Sequence, residues 1–273
     1  MLNEIYHAID PVAIQFGSLS IYWYGLAYVC GFVLGAWIIW KTICRWKLDI
    51  VADEVLSIML GIAFGVILGG RLGYVLFYGA GYYLAHPLDI FMLRQGGMSF
   101  HGGFIGAVVG GSLVCKKLGL SIRSVCDLGV IAAPVGLFFG RCANFVNGEL
   151  WGKPTDLPWA VVFETGGNIA RHPSQLYEAA LEGLVLLIVM LYLAHRTPAR
   201  PQGTFIGTFL LLYGVFRFLI EFVRVPDAQL GYIFGPITMG QILSLPLIIL
   251  GIVELVLAGR RNWPQVGHTT CND

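Results

Sequence analysis

Charged residues are few in this sequence, 12% of 273 positions against 57% that are apolar. That is roughly half the charged share of an ordinary soluble domain. A soluble chain of this length needs more polar surface to stay wet, so a soluble globular fold is excluded. A net charge of +1 leaves no strongly basic face of the kind that nucleic-acid binding requires. The six cysteines (Cys30, Cys44, Cys115, Cys126, Cys142 and Cys271) are scattered, mostly inside apolar runs, with no CxxC and no paired His/Cys spacing. That removes a disulfide framework and a zinc site and leaves the thiols as small buried hydrophobes. No Lys or Arg precedes Lys41, so the basic start of a cleaved signal peptide is missing as well.

Long apolar runs are what the sequence does have. Stretches of about 20 apolar residues predict seven membrane spans at 21–40, 56–77, 98–114, 125–145, 176–194, 205–223 and 237–257. The expected fold is an all-α polytopic membrane protein, one integral membrane domain over 1–273. Alternate connections carry Lys41, Arg45 and Lys47; Lys116, Lys117 and Arg123; Arg196 and Arg200; Arg260 and Arg261. These ten of the seventeen basic residues mark the cytoplasmic side, so the N-terminus is expected outside and the C-terminus in the cytoplasm. Two outer connections exceed a hairpin. An external arm, 78–97, begins with Tyr78, Tyr82 and Tyr83 and contains a surface stretch at 87–93. An external cap, 146–175, carries Pro154, Pro158, Gly166 and Gly167 around one expected strand at 159–163.

Glycines repeat every four residues at Gly61, Gly65, Gly69 and Gly73, again at Gly102, Gly106 and Gly110, and at Gly136 with Gly140. With no strand before them they are not phosphate-cradling loops; they predict close helix packing. Ionisable residues inside spans are costly and therefore informative. With alternate spans running in opposite directions, Tyr24, Arg71, His101, Arg141, Glu178 and Arg217 all come to outer halves. On the sixth span Tyr213, Arg217, Glu221 and Arg224 form one helical stripe. The bland reading is an Arg217–Glu221 pair that fixes packing, with Arg94 and Arg224 snorkelling to headgroups. The sharper one takes arginines in excess of acids as a fork for a phosphate.

The run Gly140-Arg141-Cys142-Ala143-Asn144-Phe145-Val146-Asn147-Gly148-Glu149, continuing through Gly152, resembles the signature of the prolipoprotein diacylglyceryl transferase family. Trp23-Tyr24-Gly25, Gly97 to Gly103, Arg171 to Glu178 and Tyr213 to Phe218 also resemble family motifs, in the family's order. The resemblance implies transfer of the diacylglyceryl group of phosphatidylglycerol to the lipobox cysteine of a preprolipoprotein, with release of glycerol phosphate. It implies a multi-pass protein of the bacterial inner membrane, acting at the external face without metal or organic cofactor. Its partners would be phosphatidylglycerol, the lipobox segment and membrane lipids. Residue chemistry suits this: His101 is the expected base for the thiol, while Arg141 and Arg217 stabilise the leaving phosphate. Tyr24, Asn144, Asn147, Glu149, Gly152, Tyr213 and Glu221 are expected to line the substrate site. Two rivals remain. A transporter also uses Gly-rich helices with intramembrane charges, but related halves are not evident. A non-catalytic lipid-binding scaffold leaves His101 without a task. No GxSxG elbow suggests a hydrolase.

Overall fold

The computed structural model describes residues 1–17, 19–79, 81–92, 96–226, 231–234 and 236–269; Arg94 and Cys271 lie outside them. The helices are α1 (Leu2–Ala8), α2 (Trp23–Trp46), α3 (Ala52–Tyr78), α4 (Tyr82–Ala85), α5 (Phe100–Leu118), α6 (Ile122–Val146), α7 (Ser174–Glu178), α8 (Leu186–Ala194), α9 (Thr204–Ile220) and α10 (Met239–Arg261). A π-helical segment, Ala179–Val185, joins α7 to α8. All seven apolar runs are therefore helical. Among the described residues, five helices are long and apolar enough to cross a membrane: α2, α3, α6, α10 and the rod Ser174–Ala194. The other two fall short for different reasons. Helix α9 has 17 residues, about 26 Å of rise, and α5 is diluted by glycines and ends on Lys116 and Lys117.

Contacts divide the chain into two compact units. The first comprises Met1–Trp46 and Cys126–Gln265. Its core joins Ile38 of α2, Ile131 and Val135 of α6, Leu186 and Met190 of α8 and Phe205 of α9. In hydrocarbon such contacts hold helices by close packing, because burial from lipid gains little. Asp127, fully buried on α6, accepts from Gly203 N at 2.7 Å and Ile206 N at 2.9 Å. It thereby satisfies the otherwise unpaired amides that begin α9. The expected strand at 159–163 is shorter: β3 (Val161–Val162) pairs antiparallel with β4 (Ala170–Arg171). Helix α1 closes over this cap, with Tyr6 edge-on to Phe145 and Phe163 at 5.5 and 5.0 Å. Nothing in the apolar-run reading foresees α1, which is too short to register as a span.

The second unit comprises Lys47–Val125 and Val266–Asp273. Helices α3 and α5 meet along the predicted glycine seam. A Cβ on Gly65 would strike the Gly106 carbonyl, one on Gly106 the Gly65 carbonyl, and one on Gly69 the Gly102 carbonyl. The α6 pair does not extend the seam, since a Cβ on Gly136 or Gly140 would meet nothing within 4 Å. The close approach of α6 is instead to Gly183 on the π segment, where a Cβ would meet Phe138 Cα at 2.8 Å. Arg71 is 5% exposed and is committed to the arm. Its Nε donates to the Ile90 carbonyl at 2.7 Å and Nη1 to Gly96 at 2.8 Å, beside the short helix Pro87–Phe91. At the other end of α3, His268 bridges Asp49 at 3.2 Å and Glu54 at 2.9 Å.

Candidate active site

Three arginines and three glutamates form one cluster in the first unit. Arg141, on the last turns of α6, meets Glu178 Oε2 through Nε at 2.5 Å and Glu182 Oε2 through Nη2 at 3.9 Å. Arg217, on the last turn of α9, reaches Glu178 Oε1 at 3.4 Å and Glu182 Oε1 at 4.0 Å through Nη1, and Glu221 Oε1 at 2.7 Å through Nη2. Arg224 Nη1 reaches Glu178 Oε1 at 3.3 Å. Glu178 thus touches all three guanidinium groups.

The local folding reasons can be followed along the chain. Ser174 Oγ donates to the Leu150 carbonyl at 3.0 Å, and Gln175 Nε2 to the Glu149 carbonyl at 2.6 Å. These bonds dock the start of α7 on the end of the Gly140–Gly152 run and so aim Glu178 at Arg141. The π segment then carries Glu182 toward the same arginines; π segments are frequent at functional sites. Glu221 caps the end of α9 and faces the start of α10. There Thr238 Oγ1 donates to Glu221 Oε2 at 2.7 Å, and Gly240 makes room, because a Cβ would strike the carboxylate. A carboxylate at a helix N-terminus also complements the helix dipole.

Exposure orients the cluster. The Glu178 and Glu182 side chains are 0% exposed, whereas Arg141 keeps 18% and Arg217 16%. The acids therefore stand behind the guanidinium groups, each of which has five N–H donors to distribute. Space is open beside Gly140, the neighbour of Arg141. Buried glutamates fix the arginines, and each of the Arg141 and Arg217 side chains keeps partial exposure.

A second group adjoins this one through α7. Asn144 Nδ2 donates to Glu149 Oε1 at 2.8 Å, and Asn147 Nδ2 to the same oxygen at 3.5 Å. Tyr24, on the first turn of α2, accepts from the Tyr28 hydroxyl at 3.3 Å and comes within reach of Asn144 and Glu149. Tyr213 stacks on Phe209 at 5.6 Å, one turn before Arg217. Gly152 is closely packed: a Cβ would meet His172 Cβ and the Val223 carbonyl, both at 2.7 Å. Its bridge to Arg224 holds the cap on the end of α9. His172, in that cap, has its imidazole pushed below the usual value by burial. His101 stands in the second unit, exposed on the first turn of α5, whose N-cap Ser99 accepts from Gly102 N at 3.2 Å.

Two expectations need correction. The arginines are not in excess, since Glu178, Glu182 and Glu221 match Arg141, Arg217 and Arg224 one for one. Nor does Arg224 snorkel: it is 7% exposed and lies beyond α9, which stops at Ile220. Glu182 is the residue the sequence reading misses. Its signal was present, an acid four positions after Glu178 inside an apolar run.

Residues 11–257 match the family described as prolipoprotein diacylglyceryl transferase. Three relatives bear the name phosphatidylglycerol–prolipoprotein diacylglyceryl transferase. The protein of Geobacter sulfurreducens is 48% identical over 93% of this chain and 96% of its own length. That of Nitratidesulfovibrio vulgaris strain DP4 is 52% identical over 89% and 92%, and that of Methylococcus capsulatus 49% over 94% and 98%.

Proposed function

The chain belongs to the prolipoprotein diacylglyceryl transferase family, and we infer that it transfers the diacylglyceryl group of phosphatidylglycerol to a prolipoprotein. The acceptor is the thiol of a lipobox cysteine. Its sulfur attacks the glycerol carbon that carries the phosphate, a carbon–sulfur bond forms, the carbon–oxygen bond breaks, and glycerol phosphate leaves. The thiol proton, held with a pKa near 8.5 in free cysteine, passes to His101. The assignment of His101 rests on its motif and on imidazole chemistry at neutral pH.

The observation that carries the phosphate half is the pair Arg141 and Arg217, fixed from behind by fully buried Glu178 and Glu182 while retaining exposure. Phosphate charge rises as the carbon–oxygen bond breaks, and preorganised donors in a dry site favour that change without reorganising. Tyr24, Asn144, Asn147 and Glu149 shape the neighbouring substrate pocket. Tyr213 and Glu221 position Arg217, and Gly152 seats the cap. The seven helices cross the bacterial inner membrane with the N-terminus outside and the C-terminus in the cytoplasm, and the reaction takes place at the external face. Phosphatidylglycerol, the lipobox segment and surrounding lipids are the partners, with no nucleic acid and no cofactor.

The test is direct. Purified protein given phosphatidylglycerol and a lipobox peptide is expected to release glycerol phosphate and to yield peptide heavier by one diacylglyceryl group. A peptide with serine in place of cysteine is expected to yield neither. Lipid binding without either product would leave a scaffold, and lipid movement without chemistry a transporter.

A further inference from the structure

We propose that the first unit carries a second lipid site, a groove for an acyl chain whose occupant is an anionic phospholipid held by Lys41, Arg45 and His195. A cavity of about 610 Å³ lies between α2, α6 and α8, within the usual range of ligand cavities, about 300–1,000 Å³. Its walls are apolar, with Trp37 from α2, Phe138 from α6 and Leu187 from α8. One end differs. Lys41 and Arg45 stand a turn apart on α2, and His195 follows α8. Arg45 Nη1 lies 3.4 Å from the His195 carbonyl and 3.5 Å from its ring Nε2.

No carboxylate lines this cavity, and among the described residues no ion pair engages Lys41 or Arg45. The contrast with Arg141, Arg217 and Arg224, each held by a glutamate, is the core of the argument. An apolar groove ending in two unmatched cations complements an amphiphile with an anionic head. Phosphate sits on the cations and a chain runs into the groove, as basic pockets between membrane helices bind anionic headgroups. The site is separate from the ion-paired cluster, whose residues do not line it. Along α2, Arg45 lies 21 residues from Tyr24, about 30 Å or one hydrocarbon thickness. The occupant therefore belongs to the leaflet opposite the reaction, a placement that rests on reading α2 as a full span.

The full chain is reconstituted in phosphatidylcholine nanodiscs and titrated with phosphatidylserine carrying dibrominated acyl chains, which is not the transferase substrate. Quenching of Trp37 is taken as the difference between the protein and its Trp37→Phe variant. Saturable quenching is expected, with the midpoint raised about thirtyfold in the double variant Lys41→Gln/Arg45→Gln, as loss of two headgroup contacts implies. The double variant is expected to keep its diacylglyceryl transfer rate. Leu187→Phe, which fills the groove and leaves the cations in place, is expected to reduce the quenching; it alone decides the matter if the double variant does not fold. Equal and unsaturable quenching by dibrominated phosphatidylcholine would overturn the proposal by showing ordinary lipid contact. So would an unchanged midpoint in the double variant. Displacement by phosphatidylglycerol that disappears in Arg141→Ala would overturn it too, because the groove would then hold the tail of the substrate itself.

Discussion

Glu178 reaches Arg141, Arg217 and Arg224 at 2.5, 3.4 and 3.3 Å, whereas Glu182 comes no closer to a guanidinium than 3.9 Å. Both are fully buried, yet their removal is not equivalent. Taking the charge from Glu178 removes the carboxylate that all three guanidinium groups share, although Arg217 keeps Glu221 at 2.7 Å, and breaking a buried ion pair from one side costs about 3–5 kcal/mol. Glu178→Gln is therefore expected to lower the melting temperature and to cut single-turnover transfer at least tenfold more than Glu182→Gln. Melting curves and rates on the two variants check the order, and the reverse order would make Glu182 the hub. A companion test concerns shape. Arg217→Lys keeps the charge and loses the planar set of donors, so most transfer activity should go while the fold stays; near-normal turnover would show that a point charge suffices. Arg141, Arg217 and Glu221 were legible in the sequence because a charge inside an apolar run demands an explanation. Glu182 met the same criterion, but weighing cations alone produces a surplus that disappears once buried acids are sought with equal care.

Helices were the most legible elements, since every apolar run became one, and α6 departs from its expected bounds, 125–145, by only a few residues at Ile122–Val146. Seams were less legible, because glycine spacing names a face but not whether a backbone lies opposite. This gives a matched comparison. Gly106→Ala forces a Cβ into the Gly65 carbonyl and should destabilise by about 1–3 kcal/mol, the usual cost of overpacking. Gly136→Ala, which meets nothing within 4 Å, should be neutral or stabilising by up to about 1 kcal/mol through helix propensity. Equal losses would mean that the seam is not what holds α3 to α5. The short contact between the chain's last described residues and the start of α3 could not be read from hydropathy at all. There the Glu54 hydrogen bond, with that of Asp49 behind it, holds the His268 imidazolium above its usual range. Although burial pushes Asp49 up, hydrogen bonds from His268 hold it below the carboxylate range. A raised histidine contributes fully below about pH 6.5 and loses that contribution as pH rises through its folded value; a lowered aspartate loses its share only in acid. The tail should thus loosen on the alkaline side. Hydrogen exchange at Gly267 and Thr269, corrected for intrinsic rates, is expected to accelerate between about pH 6 and 9, and to lose that dependence in His268→Gln.

For the whole molecule, the expected orientation follows from cations crowding alternate connections. Single cysteines in the cap, 146–175, should react with an impermeant thiol reagent in right-side-out vesicles, and cysteines beside Lys116 should not; the reverse pattern would invert the topology. The central claim is chemical: one residue makes the thiolate, and others receive the charge on the leaving phosphate. Single-turnover transfer measured from about pH 7 to 9, bracketing the free thiol's pKa, separates the two roles. His101→Gln should be slow at neutral pH and recover part of its rate as the peptide thiol ionises unaided, with phosphatidylglycerol binding largely intact. Arg141→Ala should stay slow across the range, because base cannot replace donors to the leaving phosphate. A His101→Gln enzyme that turns over normally, or whose defect ignores pH, would contradict the account.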